Sequence, residues 1–236
     1  MHRLSLVLIA LCLVLPVAAW SLGGAGLWWL HLAGYLAAAA MTLWLLHDDG
    51  ELRAAVSPRA GDMSLGFGVA ALLYLPTFFF VTSVLAPAVA MRVCTPRGAW
   101  VGLPDPHGAR ALLEHLRDSV CVAWAKGSAM RGVPRGVLVV AIAAAEEIAW
   151  RGGVQHRLAD RLGSTRAWLA ASALYALAHL ATGNVSLALL ALPTGLAWGL
   201  LFRLRGTLVP SVISHALFSF FFLYNHPLFA VRGGGL

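Results

Sequence analysis

Apolar residues run along this chain in long stretches, without the strict alternation with polar residues that marks a half-buried strand. Seven such stretches stand out, at 4–20, 26–46, 65–91, 136–157, 167–181, 185–202 and 208–229. Most approach the ~20 residues needed to cross about 30 Å of hydrocarbon as a helix. The pattern predicts an all-α, polytopic membrane protein with about seven transmembrane helices, and it argues against a β-barrel. The stretch at 167–181 is short, so shielding by neighbouring helices is expected for it. Met1-His2-Arg3 followed by Leu4–Trp20 resembles a signal peptide. With six further stretches behind it, it reads as a retained first span.

Two polar breaks divide the chain. One runs from His47 to Asp62 and holds Asp48, Asp49, Glu51, Arg53 and Arg59. The other, 92–135, is longer, and its Pro96, Gly98, Pro104 and Pro106 mark turns. Within it, 107–125 is amphipathic. Leu112, Leu113, Leu116, Val120 and Ala123 face one way, against Arg110, Glu114, Arg117 and Asp118, as in an interfacial helix. The organisation expected is a three-helix membrane part at 1–91, a linker with the interfacial helix at 92–135, a four-helix core at 136–229 and a tail at 230–236.

Composition agrees with this pattern. Of 236 residues, 60% are hydrophobic and 11% charged, whereas soluble domains carry about a quarter charged. A soluble fold and a disordered chain are excluded, because one core of this size cannot bury so much apolar surface. Lys and Arg total 17 against 10 acids. The basic residues lie between the apolar stretches, where they meet lipid head groups and set topology. Nucleic acid is not an expected partner. The short loops favour a cytoplasmic N-terminus. Cys12, Cys94 and Cys121 have no metal-binding spacing. Cys12 reads as a small core residue, and a Cys94–Cys121 disulfide is open but not required.

The chemistry lies in a few polar residues inside apolar stretches. Glu146 and Glu147 are adjacent in the fourth stretch, where an acid at mid-membrane costs about 2.5–3.5 kcal/mol. Glu147 and Arg151 stand at i,i+4 in the favourable order and can neutralise each other. Glu146 is left aimed at another helix. His179 and His215 lie in two further stretches. A carboxylate and two imidazoles on separate spans are what activating a water and moving a proton require. A buried structural ion-pair network is the bland alternative. His31, His47, His107, His115, His156 and His226 lie near span ends or in loops, where interfacial or solvated roles are the default. Gly152-Gly153 suits close helix approach, and Gly183-Asn184 suits a tight turn that holds His179 near one membrane face.

Three motifs in order, Glu146-Glu147-x-x-x-Arg151, Tyr175-x-x-x-His179 and His215-x-x-x-Ser219, resemble the CPBP family of intramembrane proteases over residues 136–225. That family includes the type II CAAX prenyl endopeptidases and bacterial proteins of bacteriocin processing and immunity. The resemblance implies an intramembrane endopeptidase that cuts near a membrane-anchored segment of a peptide or protein substrate. It implies Glu146 as the general base on water, His179 as its assistant, Glu147 and Arg151 as a supporting pair, and His215 as the oxyanion donor. Tyr175 replaces the usual Phe. Ser219 replaces an Asn that shares the oxyanion task, which keeps a donor but shortens its reach. Losing one such donor altogether costs about 10²–10³ in rate.

No cofactor is expected. The alternative is zinc held by Glu146, His179 and His215, although the chain has no HExxH pair. Substrates in view are a prenylated CAAX protein, a peptide pheromone, a bacteriocin or a C-terminal sorting tail. The Arg-, Ala- and Gly-rich composition looks like a high-GC bacterium, so the expected location is a bacterial inner membrane. Two rivals remain: a non-catalytic immunity or binding protein on the same scaffold, and a small transporter or proton-coupled channel.

Overall fold

The computed structural model describes residues 3–22, 24–85, 93–94, 115–116, 118–120, 122–123, 133–225 and 230–231. Helix α1 (Arg3–Leu22) and α2 (Gly24–Asp48) form an antiparallel pair, followed by the short α3 (Leu52–Val56). Helix α4 (Asp62–Phe79) widens into a π-helical end, Phe80–Leu85. Helix α5 (Val133–Glu147) runs into a second π-helical segment, Ile148–Gln155, and then into α6 (His156–Leu162). Helices α7 (Ser164–Leu180), α8 (Val185–Arg205) and α9 (Val209–Phe220) follow, and a third π-helical segment, Phe221–Asn225, ends α9. The only β pairing among the described residues is a two-residue parallel ladder, β1 (Val93–Cys94) with β2 (Ala230–Val231). The all-α polytopic architecture expected from the apolar pattern is present.

Among the described residues, four helical stretches are long and apolar enough to cross a membrane: Ser5–Leu22, Gly26–Asp48, Asp62–Ser83 and Val185–Arg205. The helices that carry the acids and histidines are shorter or more polar, and they pack against these four. Helix α7 packs on α8, α9 lies against both α4 and α5, and the α1–α2 pair leans on α5, its π segment and α7. One apolar cluster joins Leu8 and Cys12 of α1, Tyr35 of α2, Trp150 of the π segment, Tyr175 of α7, Trp198 of α8 and Phe218 of α9. Cys12 is thus the small core residue expected. The distribution is that of a protein solvated by lipid. Leu72 is 69% exposed, while Glu147 and Arg151 are fully buried.

Local sequence explains the helix ends. Gly163 (φ 75°) separates α6 from α7, and Gly206 (φ 62°) ends α8, both in conformations that favour glycine. The expected turn at Gly183-Asn184 is present. Asn184 caps α8, its Oδ1 accepting from Leu187 N at 3.1 Å. Pro76 and Pro193 sit inside α4 and α8, and the next residue, Thr77 or Thr194, donates its hydroxyl to the carbonyl of Leu73 or Leu190 at 2.8 Å.

Gly152 and Gly153 permit the close approach expected of them. A Cβ on Gly153 would lie 2.5 Å from Leu8 Cδ2 and 2.7 Å from Thr42 Oγ1. The amphipathic 107–125 segment lies largely outside the described residues; 115–116, 118–120 and 122–123 are helical. Ser119 there donates to Asn184 Oδ1 at 2.7 Å. Cys121 and the side chain of Cys94 also lie outside the described residues.

Candidate active site

Glu146 and Glu147 close the last α-helical turn of α5, and the π-helical segment begins at the next residue. A π segment bonds i to i+5, is rare, and recurs at functional sites. Here every residue from Ala149 to Gln155 is buried. The segment is walled in by α1, α2, α7 and α8. The two acids point to different neighbours, as consecutive helical positions must.

Glu147 faces inward. Its Oε2 lies 3.3 Å from Arg151 Nε, the pair expected at i,i+4. Its Oε1 accepts from His215 Nδ1 at 3.0 Å. None of Arg151's three guanidinium nitrogens makes an aligned hydrogen bond among the described residues. Its charge is held by Glu147 and by the ring of Tyr175, whose centroid lies 5.1 Å from Cζ.

Glu146 faces a cavity of about 200 Å³. Tyr175 donates its hydroxyl to Glu146 Oε2 at 3.1 Å. Nε2 of His215 lies 3.9 Å from the same oxygen. His179 Nδ1 lies 2.9 Å from the Tyr175 carbonyl, which can only accept. That bond assigns the ring proton to Nδ1 and leaves Nε2 with its lone pair free to accept. The His215 ring stacks on Trp198, centroids 3.8 Å apart and 15° between planes, and Trp198 Nε1 donates to Ser214 at 3.1 Å. Ser219, one turn beyond His215 on α9, also lines the cavity. The structure thus brings Glu146, His179, His215, Tyr175 and Ser219 to one cavity, with Glu147 and Arg151 behind them.

One cavity residue escaped the sequence reading. His31 of α2 does not play an interfacial role. Its Nε2 lies 3.6 Å from Glu146 Oε1, and its Nδ1 is buried without a hydrogen-bond partner among the described residues. A usable signal existed, since any ionisable side chain inside an apolar span is a site candidate by default. His156, by contrast, pairs with Glu51 at 3.4 Å at the other end of the bundle, as a span-end residue should.

The cavity lies toward one end of the helical bundle. Pro16 and Trp20 near the end of α1, Trp28 near the start of α2, and Thr182 and Leu187 around the α7–α8 turn all line it. These points cluster on the side reached at the end of α1, remote from the start of the chain. Among the described residues, no three His, Cys, Asp or Glu side chains form a group fit to hold a metal ion.

Fold and site together define an integral membrane protein with a carboxylate–imidazole centre inside its helical bundle. Residues 132–221 match the family model described as Rce1-like, Type II CAAX prenyl endopeptidase Rce1-like. That match spans the C-terminal helices that carry the three motifs, and it shows a similarity to that family over this part of the chain. No curated protein and no solved structure matches the chain.

Proposed function

We propose that this chain is an intramembrane endopeptidase in which Glu146 activates the attacking water. The observation that carries the reading is the state of the Glu146 carboxylate. It is buried, held on one oxygen by Tyr175, and turned toward a cavity that three histidines line. A buried acid that served packing alone would have its partners saturated.

The reaction follows from the donors and acceptors present. A water in the cavity gives one proton to Glu146 and a hydrogen bond to His179 Nε2, and its oxygen attacks the scissile carbonyl carbon. The carbonyl electron pair moves to oxygen. His215 meets that oxyanion from Nε2, with Ser219 as the second donor. His215 is a donor on both nitrogens only as imidazolium. Its Nδ1 faces Glu147 and its ring lies on the Trp198 face, which hold Nε2 toward the cavity. The tetrahedral intermediate collapses, the C–N bond breaks, and the amine leaves with the proton that Glu146 took up.

The substrate proposed is a peptide or protein held at the membrane by an apolar anchor, cut near the end of the bundle at which the cavity lies. Zinc on Glu146, His179 and His215 is the rival activator, although those three side chains do not gather into a metal-holding group among the described residues. The test maps protein termini by mass spectrometry in membranes of cells carrying wild type or Glu146→Gln, with matched expression. New termini that require Glu146 and survive a zinc chelator support the proposal. Termini lost to chelation select zinc. Identical termini in both strains, with both proteins folded, would favour the non-catalytic binding protein.

A further inference from the structure

We propose that His31, on α2, is a positioning residue of the general base, so that the N-terminal helices complete the active site of the C-terminal core. The inference rests on Glu146 being that base. Three observations carry it. First, His31 Nε2 is 3.6 Å from Glu146 Oε1, the oxygen that Tyr175 does not hold. The carboxylate is therefore bracketed, with Tyr175 of α7 on Oε2 and His31 of α2 on Oε1. Second, His31 Nδ1 is buried with no hydrogen-bond partner among the described residues, although buried ring nitrogens normally have one. Nothing local fixes the ring's proton on Nδ1, and the negative charge of Glu146 draws it to Nε2, where it points at the carboxylate. Third, α2 is locked in place at this level. Tyr35, one turn after His31 and in ring contact with it at 5.5 Å, accepts from Trp150 Nε1 at 3.3 Å, and the glycine pair of the π segment admits Thr42. His31 cannot drift from Glu146 without unpacking that contact.

The role follows from the geometry. A general base works only if one oxygen is aimed at the water and the other is restrained. At 3.6 Å the contact is longer than a formed hydrogen bond. It restrains the rotation of the carboxylate about its last bond without occupying the lone pair that must take the proton. The described residues of 132–221, the range that the family model covers, place no such group on Oε1, and α2 lies outside that range.

The test uses the full-length protein in detergent, with three variants. His31→Gln places an amide nitrogen near the position of Nε2. His31→Asn stops near Nδ1. His31→Leu removes the donor. The first readout is infrared: the carboxyl bands of Glu146, isolated by subtracting Glu146→Gln, should shift in the Asn and Leu variants and return in Gln. This readout needs no substrate. The second is cleavage of a farnesylated CAAX peptide. Expected is a 10- to 100-fold lower kcat at near-constant KM for Leu and Asn, with Gln within about fivefold of wild type. Glu146 bands unmoved in all three variants, or losses confined to KM, overturn the inference. Should His31→Leu not fold, Gln against Asn decides by the same two readouts. If Glu146→Gln itself cleaves at the wild-type rate, the glutamate-base reading fails. If Glu146→Gln is dead and the His31 variants are normal, only this inference fails.

Discussion

Two buried carboxylates lie in this molecule in opposite conditions. Asp62, at the start of α4, is completely buried, and each of its oxygens has a short hydrogen bond. Arg59 N donates to Oδ2 and Arg205 Nε to Oδ1, both at 2.7 Å. Arg205 also donates to the Ala60 carbonyl at 2.7 Å. Close by, Thr207 donates to the carbonyls of Ala55 and Ser57, and Leu208 N to Ala55. This is a finished polar knot that ties the α3–α4 connection to the end of α8. Glu146 has one neutral hydroxyl at 3.1 Å and two imidazole nitrogens at 3.6 and 3.9 Å. Its neighbours are unfinished too. His31 Nδ1 and the Arg151 nitrogens lack aligned hydrogen bonds among the described residues. A charge buried for architecture is saturated by its neighbours. A charge buried for chemistry keeps capacity for a substrate or a water, at a cost to stability.

The largest effects should come from exchanging each acid for its amide. Glu146→Gln is expected to lower cleavage by 10²–10⁴-fold, the range for a lost general base, with thermal stability unchanged or raised. Asp62→Asn should do the reverse. It removes the anion that Arg205 answers and should cost about 3 kcal/mol, while folded molecules cleave normally. A melting curve beside a rate, on both variants, checks the pair, and an Asp62→Asn protein that is stable but inactive would break the distinction.

His215→Ala comes next. It removes the oxyanion donor and also strips Glu147 of its short partner. Cleavage should drop by about 10²–10³-fold. Stability should drop as well, because a fully buried acid loses its 3.0 Å partner. A rate loss without any stability loss would mean that Glu147 does not depend on His215.

Smaller effects are expected from packing alone. Gly153→Ala drives a methyl group into Leu8 and Thr42. A loss of about 1–3 kcal/mol is expected, read as a lower melting temperature. Because Thr42 and His31 share α2, kcat should fall along with it if α2 positions the base. Asn184→Ala removes the cap of α8 and the partner of Ser119, for about 1–2 kcal/mol, with little change in kcat. Hydrogen exchange at the start of α8 should register that loss first.

Much of this was legible in the chain. All seven apolar stretches correspond to helices that begin within about three residues of the expected start, because hydrocarbon length and helical rise leave little freedom. The fourth helix was read to end at 157, but it continues through the π segment into α6 and ends at Leu162. The wide turn changes the bonding pattern without breaking the helix, and the apolar pattern carries no mark of it. The acids, Arg151, His179 and His215 were legible because charge inside hydrocarbon is too costly to be incidental. His31 was passed over because it lies a few residues inside its stretch, where a histidine equally suits the membrane surface.

By itself the sequence determined that the chain is a bundle of membrane helices, which helices carry acid and imidazole, and that Glu147 could neutralise Arg151 within one turn. These follow from composition, period and local spacing, which need no knowledge of neighbours. Tertiary structure alone decided that Tyr175 holds Glu146, that Glu147 answers both Arg151 and His215, and that a histidine from α2 reaches the base. Apart from Arg151, those partners lie 29 to 115 positions away in the chain. Their meeting depends on how side-chain volumes pack between helices, with Gly153 against Thr42 and Trp150 against Tyr35 and Tyr175. Pattern along one helix does not encode which face of another it will meet.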